Sequence, residues 1–71
     1  MNACDYWLTQ IPKYAKNHYM YFRLKRNIDE HISGLKVTAN KMRGTRVGII
    51  CSRDANRYQK LLDLVINSND N

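Results

Sequence analysis

From His18 to Lys25 the side chains fall into two sets with a period of two. His18, Met20, Phe22 and Leu24 share one side, and Tyr19, Tyr21, Arg23 and Lys25 share the other. A period of two predicts a strand over 18–25 with the first set turned to a core. A second strand is expected over Arg46–Ser52, where Val47, Ile49 and Cys51 form the buried face while Gly48 and Ile50 look the other way. Between the two, the period changes. Ile28, Ile32, Leu35, Ala39 and Met42 recur at intervals of 4, 3, 4 and 3, the apolar stripe of a helix. Asn27 with Glu30 three residues on makes a capping box, Lys41 and Arg43 suit the negative helix end, and Gly44 closes the helix. Gly34 lies off the stripe and costs ~1 kcal/mol relative to Ala there.

A last helix is expected after Ser52 or Asp54 as its cap, with Ala55, Tyr58, Leu61, Leu62, Val65 and Ile66 on the apolar side. Residues 67–71 are polar and expected to fray. The N-terminal segment, 3–11, supports two readings. Trp7, Leu8 and Ile11 suit a short amphipathic helix with Asp5 near its cap, whereas Tyr6, Trp7 and Thr9 favour a strand. The helix is preferred, and Pro12 ends the segment in either case. The expected fold is thus a small single α+β domain, two strands or three packed by two amphipathic helices, in the order (α or β)-β-α-β-α. The twenty residues between Lys25 and Arg46 suffice for a helical crossover between parallel strands. Two strands are marginal alone, so the sheet needs the N-terminal segment or a partner's edge, and a homodimer is expected.

Length changes the picture little, since 71 residues make one domain with a thin core. Cys4 and Cys51 allow at most one bridge and lack the dense spacing of a secreted scaffold. Met1–Ile11 carries an acid and neither a basic residue nor a long apolar run, unlike a signal peptide. No stretch approaches the ~20 apolar residues of a membrane span. A cytoplasmic protein without membrane contact is expected. Charge changes more. The net +6 sits in the middle of the chain, because residues 13–46 hold Lys13, Lys16, Arg23, Lys25, Arg26, Lys36, Lys41, Arg43 and Arg46 against only Asp29 and Glu30. A concentrated positive segment points to a polyanionic partner.

On the expected strand, Tyr19 and Tyr21 would present rings to bases, each worth about 1–3 kcal/mol of stacking. Arg23, Lys25, Arg26, Lys41, Arg43 and Arg46 would follow the phosphate backbone. Alternatively both tyrosines pack beneath the N-terminal segment against Trp7. Arg53, Asn56, Arg57 and Lys60 line the outer side of the last helix near its start, as in a recognition helix or a merely solvated face. The run Val47 to Leu64, a strand, then Ser-Arg-Asp, then an apolar helix, resembles part of a LAGLIDADG homing-endonuclease half over under a third of the chain. The acidic signature helix of that family is absent, and no residue role carries over.

Metal ligation finds no close pair among Cys4, His18, His31 and Cys51. Asp29, Glu30 and His31 are adjacent on a helix and so point in different directions, and no phosphate loop or nucleophile elbow occurs. No enzyme activity, metal or cofactor is therefore expected. The expected function is a nucleic-acid-binding accessory or regulatory protein, for DNA or RNA. The alternative is a small protein-binding inhibitor or adaptor, of mobile-element or phage type, that blocks an acidic surface.

Overall fold

The computed structural model describes residues 2–68 and consists of helices in sequence. They are α1 (Ala3–Gln10), a one-turn 3₁₀ helix (Ile11–Lys13), α2 (Tyr19–Lys41) and α3 (Arg46–Ser68). No strand occurs among the described residues, so the expected α+β domain is corrected to a helical one. Both expected strands, 18–25 and 46–52, are the opening turns of long helices.

The first correction has a clear cause. Tyr21, Leu24, Ile28 and Ile32 are all buried, and their spacing of 3, 4 and 4 is helical. The segment 18–25 therefore satisfies both periods, and the helix wins because it extends a stripe already nucleated downstream. It also pairs its own backbone groups, which two isolated strands would leave open. Asn27 consequently lies inside α2, and His18 takes the cap, its Nδ1 accepting the Met20 N–H at 3.0 Å. At 46–52 the expected buried face is also overturned. Val47, Ile49 and Ile50 are exposed and Gly48 is buried. Thr45 starts the helix instead of Ser52 or Asp54, its Oγ1 accepting the Gly48 N–H at 3.1 Å. Val47 to Leu64 is thus one helix, and the strand on which the endonuclease resemblance depended is missing.

Residues 3–10 take the helical reading, with the Asn2 side chain accepting the Asp5 N–H at 2.9 Å. At the other end α3 runs through Ser68, so 67–68 are helical, while 69–71 lie outside the described residues.

α2 and α3 form an antiparallel hairpin joined by Met42–Thr45, where Gly44 adopts φ +84°, open to glycine at little cost. Their facing stripes make the core: Tyr21, Leu24, Ile28 and Ile32 against Ala55, Tyr58 and Leu62. α1 and the 3₁₀ turn add Cys4 and Ile11. α1 is held over the middle of the hairpin by the Asn2 side-chain amide, which donates to the Tyr58 hydroxyl at 2.9 Å. Trp7 meets the edge of His31 at 6.5 Å, and His31 meets Tyr58 at 5.6 Å. The molecule measures 41 × 19 × 18 Å. No described helix is long and apolar enough to cross a membrane.

Candidate nucleic-acid interface

The helical fold redistributes the residues that the strand reading had placed together. Tyr19, the first residue of α2, is 69 % exposed and stacks on His18 at 5.2 Å. Tyr21 is 4 % exposed and belongs to the core, so its ring is closed to any base. Two positions apart on a helix means some 200° of rotation, which is why the pair separates. Tyr19 instead shares a solvent face with Phe22, Arg23 and Arg26, at helical spacings of 3, 4 and 7.

The cations also divide. Lys25 Nζ lies 3.9 Å from Asp29, and Arg26 Nε donates to Glu30 at 3.2 Å, both one turn along α2. Arg57 lies 3.8 Å from Asp5 and 4.9 Å above the Tyr58 ring. Its guanidinium is held above its ordinary range, first by a hydrogen bond to Tyr58 and then by electrostatic attraction to that residue, against some desolvation and with smaller help from Asp5 and Asp54. These three are compensated. Lys36, Lys41, Arg43, Arg46 and Arg53 have no carboxylate partner among the described residues. The cause is visible in the sequence, since residues 31–53 contain those five cations and no acid. The hairpin places the whole acid-free stretch at one end of the long axis.

At that end the second half of α2 and the first half of α3 border an open groove of about 450 Å³. Lys36, Arg43 and Arg53 line it together with the amides of Asn40 and Asn56 and the Ser52 hydroxyl. Arg43 is steadied by donating to Asn40 Oδ1 at 3.2 Å. Gly44 and Gly48 also line it. Fixed positive charge beside neutral donors is the chemistry of phosphate contact. Lys41 and Arg46 stand exposed beside the turn, outside the groove.

Of the expected site residues, the fold brings Arg43 and Arg53 into one groove. It leaves Arg23 on the Tyr19 face, and it engages Lys25, Arg26 and Arg57 with acids. Asn56, expected on the outer side of the last helix, joins the site, as do Lys36, Asn40 and Ser52, which were not among the expected contacts. Lys36, Asn40 and Arg43, at i, i+4 and i+7, share one helical face, a signal present in the sequence.

The other chemical groups have structural surroundings. Asp29 and Glu30 face Lys25 and Arg26, and His31 is wedged between Trp7 and Tyr58. Cys4 is fully buried, and its thiol is pushed up to about 11, mainly by burial and further by Asp5, with Arg57 opposing. Among the described residues no three His, Cys, Asp or Glu side chains gather as a metal site. Comparison of the chain with known protein families, characterised proteins and solved structures finds no significant match, so the reading of this surface stands on its geometry.

Proposed function

We propose that this protein binds nucleic acid, gripping the phosphate backbone with the acid-free end of the α2–α3 hairpin. The observation that carries the reading is the groove in which Lys36, Arg43 and Arg53 converge with no carboxylate among its lining residues. Lys41 and Arg46 extend the positive surface past the turn. Contacts of this kind fix position on the backbone and carry no base information, so the reading is of an accessory or regulatory protein with broad sequence tolerance. Tyr19 and Phe22, exposed beside Arg23 and Arg26, favour a second reading in which that face docks on an acidic protein.

Fluorescence anisotropy with short labelled duplex and single-stranded probes separates the two. Neutralising four or five phosphates gives a slope of log K against log salt of about −4. Replacing Lys36 and Arg53 by Ala together should flatten that slope by about two units, whereas replacing Lys25 and Arg26 should change it by less than about one. Absence of binding at about 50 mM salt removes the reading. Equal effects of the two double variants would move the contact surface away from the groove.

A further inference from the structure

α3 carries a second, partly apolar row that the hairpin leaves open. Val47, Ile50, Asp54, Arg57, Leu61 and Leu64 follow one another at intervals of 3, 4, 3, 4 and 3 and so form one continuous stripe. It runs beside the core row of Gly48, Ala55, Tyr58 and Leu62. With α1 and α2 in place, Val47 and Ile50 are each 50 % exposed, Leu61 38 % and Leu64 65 %. Turned end for end about a point between Ala55 and Asn56, the stripe falls onto itself in kind. Val47 then meets Leu64, Ile50 meets Leu61, and the acid at Asp54 meets the base at Arg57. A row with this symmetry is complementary to its own copy across a two-fold axis.

We propose that this stripe is a self-association surface on which a second copy docks with its α3 antiparallel. Val47 packs on the partner's Leu64, Ile50 on the partner's Leu61, and Asp54 pairs with the partner's Arg57. The charges select this occupant. A parallel copy would set acid on acid and base on base, and a polyanion would meet Asp54 at the centre of the stripe. Arg57 lies 3.8 Å from Asp5 and over the Tyr58 ring, yet its side chain remains 58 % exposed, so the partner's Asp54 approaches it from the solvent side. Arg53 and Lys60 border the stripe, so the pair also brings Arg53 towards the partner's Lys60. Both are exposed, and screening over about 8 Å holds that repulsion below the central attraction. Six residues a side are few for a stable interface, so the dimer is one that dissociates on dilution.

Sedimentation equilibrium of the full chain, without nucleic acid, tests this independently of the phosphate-binding reading. A reversible monomer–dimer equilibrium is expected between about 10 μM and 1 mM. Asp54→Arg and Arg57→Asp each place like charges at the centre and should weaken the dimer about 100-fold. An equimolar mixture of the two should restore it, because each central pair then joins opposite charges, one in the wild-type sense and one reversed. Leu64→Lys, at the most exposed residue of the row, should abolish the dimer while keeping the wild-type melt, which covers any disturbance of Asp5 by the Arg57 variant. A wild-type chain that stays monomeric throughout overturns the proposal, as do single variants that dimerise normally or a mixture that stays monomeric. So does a Cys51 disulfide that forms faster in the associated wild-type chain than in Leu64→Lys under mild oxidation. The antiparallel register holds the two Cys51 residues about 13 Å apart along the helix axes, beyond disulfide reach.

Discussion

One substitution, glycine to alanine, should have opposite signs at two positions of this hairpin. At Gly34, inside α2 on its exposed side, an added Cβ meets nothing within 4 Å. There alanine gains only the helix propensity difference, about 1 kcal/mol. At Gly48, in the first turn of α3, the same Cβ would fall on the Met42 carbonyl oxygen, with the carbonyl carbon at 2.8 Å and the Ala39 oxygen at 3.3 Å. Those atoms are backbone and cannot rotate away. The end of α2 would have to part from α3, disturbing the Thr45 cap as well. Overpacking of this kind costs about 1–3 kcal/mol after the propensity gain. For a domain of this size 1 kcal/mol moves the midpoint by about 4–8 °C. Thermal melts followed by helical circular dichroism should therefore rise by some 4–8 °C for Gly34→Ala and fall by at least about 4 °C for Gly48→Ala. A Gly48→Ala protein that melts at or above the wild-type temperature would refute the close approach of the two helices at the turn.

Further outcomes follow from burial. Tyr21→Ala should cost about 3–5 kcal/mol in denaturant unfolding while Tyr19→Ala costs under about 0.5, and equal costs would contradict the rotation that separates them. Cys4 should resist thiol reagents in the native protein and react only on unfolding, whereas Cys51, part-exposed, reacts at once. The Cys4 thiol ionises near pH 9.0 when free and about 11 in the fold. The unfolded chain therefore releases this proton first. The stability contributed is complete below pH 9 and is lost as pH rises to about 11. Two units correspond to at most about 2.7 kcal/mol, reduced by solvent screening. Melts across that window should decline less steeply in Cys4→Ala, and identical slopes would rule out the thiol as the source.

The helical stretches were legible where one period acted alone. Ile28 to Met42 and Ala55 to Ile66 read as helices because no alternation competes there, and Gly44 marked the turn through its left-handed conformation. The stretch 18–25 misleads because its tyrosines and phenylalanine suit a strand while Tyr21 and Leu24 also continue the downstream stripe. Propensity of aromatic residues for strands is a packing preference, and packing chose the other face. At 46–52 an apolar run predicts burial, yet the residue the fold buries is Gly48, whose value is the side chain it lacks. The concentration of charge was readable from composition, and Lys36, Asn40 and Arg43 from spacing. Their union with Ser52, Arg53 and Asn56 depends on the register of the hairpin, which is set by long-range packing of Ile32 and its neighbours against Ala55 and Tyr58.

The acid-free end is not explained by folding needs, and Arg46 shows why. Cations near the end of α2 suit the helix dipole, which accounts for Lys41 and Arg43. Arg46 is the first residue of α3, where the dipole is positive and an acid would be favoured. It has no carboxylate partner among the described residues and stands close in sequence to Arg43. Under the proposed phosphate contact, Arg46 serves binding at a small cost in stability. Arg46→Glu should then stabilise the fold by about 1 kcal/mol at low salt, raising the melt, while weakening nucleic-acid binding at least about 10-fold and flattening its salt slope by one unit or more. The two readouts separate the causes. A variant that is both more stable and unimpaired in binding would show that phosphate contact lies elsewhere. One that loses stability would show that Arg46 serves the hairpin turn itself.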